Sequence, residues 1–200
     1  MEASRASGMI RVGPSACLIL WLAMILVFSS SLRPHSRSRM LAAEAARHLA
    51  GRGVDHELVD LARFDLPACD GHDCYSHPEV GDLSARIGAG RGILLAAPVY
   101  NYDVSATAKN LVELTGSAWN DKVVGLMCAA GGQGSYMAPL GLANSLMLDF
   151  RCLVLPGYVF ADETGFDETA ITDERIPPRI HRLADQLVTL AGVWPEAAGS

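Results

Sequence analysis

The chain has 200 residues, half of them hydrophobic and 19% charged. That balance excludes a disordered protein and fits one domain with a substantial core. The formal net charge of -6 argues against a general nucleic-acid binder, which carries a basic face, but leaves room for local basic residues around a phosphate-bearing ligand.

In chain order, Arg5 and Arg11 precede an apolar run from Ala16 to Phe28, followed by Ser29-Ser30-Ser31. This is the outline of a secretory signal, and the run is short for a membrane span. Met24 to Phe28 reads as a buried strand. Ser36 to Ala50 reads as a helix, with Met40, Leu41, Ala45 and Leu49 at helical spacing and Gly51 and Gly53 at its end. Val54 to Leu61 reads as a second strand, Arg63 to Val80 as a polar loop, and Leu83 to Ile87 as a short helix. Gly92 to Ala97 is a third strand that Pro98 is expected to stop.

Val104 to Leu114 is a helix for which Asp103 is the expected N-cap. Val123 to Ala129 is a fourth strand, Ala138 to Phe150 a helix, and Cys152 to Leu155 a short fifth strand. From about Ile176 to Leu190 runs an amphipathic helix with Ile180, Leu183, Leu187 and Leu190 on one stripe. Strands alternating with helices form βαβ units around a parallel sheet. The expected fold is therefore α/β, a doubly wound three-layer sandwich on five strands. Ligands of such sheets bind at the carboxyl ends of the strands, where strand order reverses.

Five cysteines, with no C-x-x-C pair, are not a disulfide framework. Cys128 and Cys152 lie in apolar runs and read as buried hydrophobes. Cys69 and Cys74 flank Asp70, Gly71, His72 and Asp73, which reads either as a metal or redox pair or as a polar loop holding two thiols. Zinc normally needs four ligands at tighter spacing. Trp119 reads as packing or a subunit interface, and Lys109 with Glu113 as an exposed helical ion pair.

Three loops at the expected ligand edge have unusual chemistry. After the first strand comes Ser29-Ser30-Ser31-Leu32-Arg33-Pro34-His35-Ser36-Arg37-Ser38. Hydroxyls, arginines (Arg33, Arg37 and Arg39) and the amides of a helix N-terminus make an anion site. Pro98-Val99-Tyr100-Asn101 follows the third strand and offers backbone and aromatic rings to a flat heterocycle. Ala130-Gly131-Gly132-Gln133-Gly134 follows the fourth, where glycines permit positive φ and close approach of a ligand. Each loop alone is also what an ordinary capped or flexible turn looks like.

Together, over roughly Met24 to Leu190, they resemble the NADPH-dependent FMN reductase family. Its first motif, G-S-x-R-x-x-S-x-N, is matched by Ser30, Ser31, Arg33, Ser36 and Ser38. Its P-x-Y-N and following K-N are matched by Pro98, Tyr100, Asn101, Lys109 and Asn110, and its glycine loop by Gly131, Gly132 and Gly134. Ser30 and Ser38 replace the family's first glycine and its asparagine, and Ala130 stands where a serine is common.

The resemblance implies a flavodoxin-like sheet of order 2-1-3-4-5. It also implies FMN with its phosphate held by Ser31, Arg33, Ser36 and Ser38. The ring would lie among Pro98, Val99, Tyr100, Asn101, Ala130, Gly131, Gly132 and Gly134. NAD(P)H would reduce the FMN, and a small-molecule acceptor (quinone, flavin, azo compound or metal ion) would then be reduced in turn, with no catalytic side chain. A homodimer or homotetramer is implied, with no nucleic-acid or membrane partner. The alternatives are a non-enzymatic electron carrier and a flavin-binding regulatory domain of the same fold.

Residues 24–192 are expected to be the working domain and 193–200 a tail. Cleavage after the apolar run would remove the first strand. Residues 1–23 are therefore expected to be a dispensable extension of a cytoplasmic protein, the alternative being a membrane-associating segment.

Overall fold

The computed structural model describes residues 24–194. The expected extension 1–23 and residues 195–200 of the expected tail lie outside them. The first strand, β1 (Ile25–Ser29), is buried along its whole length. It pairs in parallel with β2 (His56–Asp60) on one side and with β3 (Gly92–Tyr100) on the other. β3 pairs in parallel with β5 (Val123–Ala129), and β6 (Leu153–Val154) and β7 (Val159–Ala161) both pair with β5. A two-residue strand, β4 (Asp103–Val104), folds back on β3. The order is β2-β1-β3-β5-β6; leaving out the two-residue β4, so that β5 is the fourth strand, and counting β6 and β7 as the two halves of a fifth, this is the expected 2-1-3-4-5 of a flavodoxin-like fold.

Side-chain alternation decides which helices cover which face. Ile25, Val27, Leu94, Ala96 and Met127 point to one side, where α1 (Arg37–Gly51) and α5 (Ile176–Ala191) bury Leu41, Ala45, Leu49, Ile180, Leu183 and Leu187. Leu26, Phe28, Ile93, Leu95 and Val124 point to the other, against α2 (Pro78–Ala89), α3 (Ala106–Thr115) and α4 (Leu140–Phe150). A strand covered on both faces must be apolar at every position, which is why β1, β3 and β5 read as continuous hydrophobic runs, while the partly exposed β2 keeps His56, Glu57 and Asp60. Gly125 has a packing reason: a Cβ there would lie 2.8 Å from Leu94 and 3.2 Å from Leu183, so α5 sits close on the sheet.

Four expectations change. Pro98 does not stop β3, which continues to Tyr100. Pro98 lies at the carboxyl end of its pairing with β5, and its carbonyl accepts from the Ser105 amide at 2.9 Å. Asp103 is not the cap of α3. It belongs to β4, and Ser105 is the N-cap, its hydroxyl accepting from the Ala108 amide. A hairpin places Asn101 and Tyr102 at positive φ, and the helix begins only after it.

The short helix expected at Leu83 is a full one beginning at Pro78, since proline suits the first helical turn and His77 caps it. The fifth strand is interrupted around Gly157, at φ +74°, and resumes as β7. Trp119 is core packing: it is fully buried, donates to Thr115 Oγ1 at 2.7 Å and sits 6.4 Å from the Phe28 ring.

Candidate functional site

A cavity of about 830 Å³ opens at the carboxyl ends of β1, β3 and β5. That is the size of a cofactor site. It is lined by Arg33 to Ser38, by Pro98, Val99 and Tyr100, by Ala129, Ala130 and Gly131, and by Phe166 to Thr169.

The first wall is the loop that enters α1. Its serines are buried and divide their work. Ser30 Oγ donates to the Ala96 carbonyl at 3.1 Å and meets Ser105 Oγ at 3.3 Å, which ties the loop to β3 and to the cap of α3. Ser31 Oγ accepts from the Arg33 amide at 3.3 Å. Ser36 is the N-cap of α1 but makes no capping hydrogen bond; its hydroxyl lies 2.8 Å from Ser38 Oγ. The first turn of α1 carries no acidic residue. Its amides and the positive end of the helix dipole are therefore left without a side-chain acceptor at the cavity wall, an arrangement that favours an anion.

The arginines are not equivalent. Arg33 is exposed at the cavity, and its guanidinium forms no hydrogen bond or ion pair among the described residues. Arg37 is 3.7 Å from Glu163, both half exposed, a weak pair that an anionic ligand could displace. Arg39 is committed elsewhere. It donates to the carbonyls of Ser31 and Arg33 and to Asp60, and so braces the loop. His35 also lines the cavity, with φ at 53°.

The second and third walls are mainly apolar and backbone. Pro98 and Ala130 are buried, Val99 is half-buried, and the Tyr100 ring is 54% exposed beside them. The Ala130 amide donates to Ala161 at 2.9 Å, which fixes the glycine loop to β7. None of Gly131, Gly132 and Gly134 has positive φ, so the backbone of the loop does not demand glycine there. A Cβ on Gly131 or Gly132 would meet open space, and one on Gly134 would sit 3.3 Å from Tyr102 Oη. The glycines leave room on the cavity side.

Of the residues expected from sequence, Arg33, Ser36, Ser38, Pro98, Val99, Tyr100, Ala130 and Gly131 line this one cavity. Ser31 is buried beneath the loop, Asn101 is in the exposed hairpin turn, and Gly132 and Gly134 lie beyond the lining. Asn110 serves a neighbouring loop: its side chain accepts from the Cys69 amide and donates to the Pro67 carbonyl, both at 2.8 Å.

A fourth wall escaped the sequence reading. Phe166, Asp167, Glu168 and Thr169 complete the lining of the cavity. The Asp167 carboxylate accepts from the amides of Thr169 and Ala170 at 2.7 Å, which holds its pKa below the ordinary range and shapes the turn. The signal was the unusual length of chain between Leu155 and Ile176, since long connections in compact domains are commonly functional.

The donor set fits a phosphate-bearing flat ring: a helix N-terminus free of acidic side chains with Arg33 beside it, and Pro98, Val99, Ala130 and Phe166 along the walls. Known proteins agree with the fold and the family. An NAD(P)H-dependent FAD/FMN reductase of Geobacillus thermodenitrificans is 25% identical over 138 residues, covering 68% of this chain and 75% of the relative. A flavoenzyme NAD(P)H:(acceptor) oxidoreductase from Paracoccus denitrificans superposes with a TM-score of 0.69 at 22% identity, over 84% of this chain and 97% of that one. An NADH:FMN oxidoreductase superposes with a TM-score of 0.72 at 15% identity, over 88% and 92%. The model of the NADPH-dependent FMN reductase family matches residues 23–167, and the chain belongs to that family of NAD(P)H-dependent, FMN-using oxidoreductases.

Proposed function

We propose that this protein holds FMN in the cavity at the carboxyl edge of its sheet and uses NAD(P)H to reduce a second small-molecule acceptor. Quinones, free flavins, azo compounds and metal ions are the acceptor classes in view. The observation that carries the reading is the meeting, in one cavity, of an uncapped helix N-terminus beside Arg33 with apolar walls from Pro98 to Tyr100 and Ala129 to Gly131. FMN would supply hydride acceptance and electron transfer. The protein's part is to bind and orient.

Arg33, Ser36, Ser38 and the first-turn amides of α1 would hold the phosphate, with Ser31 supporting the loop from beneath. Pro98, Val99, Tyr100, Ala130 and Gly131 would flank the ring, with Asn101, Gly132 and Gly134 shaping its two loops. No side chain is assigned as a catalytic acid or base, because hydride transfer between two bound cofactors needs none.

The same reading carries a cytoplasmic homodimer or homotetramer. Among the described residues no helix is long and apolar enough to cross a membrane.

The test is a visible spectrum of the purified protein during addition of NADH and then NADPH. A yellow protein bleached by either, and recoloured by an acceptor, supports the reading. A protein that takes up no FMN overturns it. A yellow protein that neither nucleotide bleaches is an electron carrier.

A further inference from the structure

Away from the flavin cavity, two thiols meet. Cys74 Sγ lies 4.0 Å from Cys69 Sγ in the loop between β2 and α2. The local sequence folds them together. Gly71 takes φ +74°, and the Asp70 carboxylate accepts from the amides of His72 at 2.8 Å and Cys74 at 3.2 Å, which turns the segment back on itself. Asn110 on α3 then pins the Cys69 amide and the Pro67 carbonyl. The approach of the two sulfurs is therefore held by hydrogen bonds on both sides of the loop.

The two sites differ. Cys74 is buried against Val80 and Leu114. Cys69 is half-buried and forms part of the wall of an open cavity of about 640 Å³, beside Tyr75, Lys109 and Glu113. Cys128 and Cys152 are buried in the core. A metal site is the weaker use of the pair: zinc takes four ligands, and among the described residues no three His, Cys, Asp or Glu side chains are grouped to hold a metal ion.

We propose that Cys69 and Cys74 form a reversible intramolecular disulfide, a redox modification site at which Cys69 meets the oxidant and Cys74 resolves it. With hydrogen peroxide as oxidant, the Cys69 thiolate attacks one peroxide oxygen. The O–O bond breaks, the departing hydroxide leaves as water with the thiol's proton, and Cys69 becomes a sulfenic acid. Cys74 sulfur then attacks Cys69 sulfur; the S–S bond forms, the S–O bond breaks, and the hydroxyl leaves with the Cys74 proton as a second water. Two thiols are oxidised to one disulfide, and one peroxide is reduced to two waters.

The order follows from the surroundings. Burial and the neighbouring Asp70 carboxylate push the Cys74 thiol up, so it stays protonated while the more open Cys69 reacts first. The sulfurs must close from 4.0 Å to about 2.05 Å. Cys69, on the wall of an open cavity, gives a reductant access to the disulfide. The inference stands on sulfur chemistry and is independent of the flavin reading.

The experiment uses the full chain, reduced, desalted and titrated with hydrogen peroxide, then alkylated, digested and mapped by mass. The expected result is loss of two of the five thiols, one cross-linked Cys69–Cys74 species within a single chain, and full recovery with dithiothreitol. In Cys74→Ser the sulfenic acid at Cys69 should be trapped by dimedone and otherwise pass on to sulfinic acid. In Cys69→Ser the Cys74 thiol should survive the same dose. Independent oxidation of both cysteines to sulfinic acid in the parent overturns the proposal. So does a disulfide linking two chains, or survival of both thiols at doses that consume Cys128 or Cys152. The mapping of the parent decides the matter even if a variant fails to fold.

Discussion

Arg39 on α1 and Asp60 at the end of β2 are joined by two contacts of 3.0 Å, from Nη2 to Oδ1 and between Nε and Oδ2. The same guanidinium donates to the carbonyls of Arg33 at 3.0 Å and Ser31 at 3.1 Å. Asp60 also accepts from the Ala62 amide at 3.2 Å, so its own position is fixed. The loop that enters α1 is thus shaped by a strand it does not follow.

Removing that brace should loosen the loop. Arg39→Ala removes a donor from two carbonyls and from the Asp60 carboxylate, all partly open to water, at a cost of about 0.5–1.5 kcal/mol in urea unfolding. FMN affinity should fall by ~10-fold, about 1.4 kcal/mol. If unfolding responds and FMN titration does not, Arg39 is a strut alone and the loop's shape is irrelevant to binding.

The phosphate assignment predicts a larger effect from residues at the cavity itself. The Arg33 guanidinium has no partner among the described residues, so Arg33→Ala together with Ser36→Ala should weaken FMN by at least ~10-fold, while the FMN-free protein loses only the Ser36–Ser38 hydroxyl contact, about 1 kcal/mol. Parental affinity in the double variant would falsify the placement of the phosphate.

Gly131 lines the cavity, has no positive φ, and has open space where a Cβ would go. Gly131→Val should therefore fold with stability within about 0.5 kcal/mol of the parent. The added branches would occupy the space assigned to the ring, so the purified variant should be poor in FMN. Full flavin content at parental stability would move the ring elsewhere.

Gly125 presents the opposite case. A methyl there collides with Leu94 and crowds Leu183, both buried. Gly125→Ala should cost about 1–3 kcal/mol in urea unfolding. A neutral result would mean that α5 can shift away from the sheet.

Alkaline stability follows from the buried thiols. Burial raises Cys128 from 9.0 to about 12 and Cys152 from 9.0 to about 11. Above pH 9 the unfolded chain loses these protons while the folded chain keeps them. Stability is therefore full below about pH 9 and falls as pH rises toward 12, by about 1.4 kcal/mol per pH unit for each group within its window. Comparing urea midpoints at pH 9 and 11 in the parent and in Cys128→Ala checks this: the variant should lose less across the interval. Equal losses would show that Cys128 does not carry the effect.

Much of this molecule is legible in its sequence, because its sheet is buried on both faces. Such strands are apolar at every position, so Ile25 to Phe28, Ile93 to Ala97 and Val123 to Ala129 stand out in the chain, and the amphipathic stripe of α5 shows which side faces them. The parallel sheet with alternating helices follows, and with it the edge where three polar or glycine-rich loops meet. What stayed hidden was set by contacts distant in sequence. That Arg39 braces the loop depends on Asp60, more than a helix away. That Pro98 can remain in a strand depends on β5 and on the Ser105 amide. The interruption at Gly157 carries the chain along β5 as β7, and only then do Phe166 to Thr169 reach the cavity. Local composition determines where strands and helices form and which residue types reach the ligand edge. Which of those side chains are engaged by the protein and which remain open to a ligand is decided by partners that only the folded chain brings within hydrogen-bonding distance.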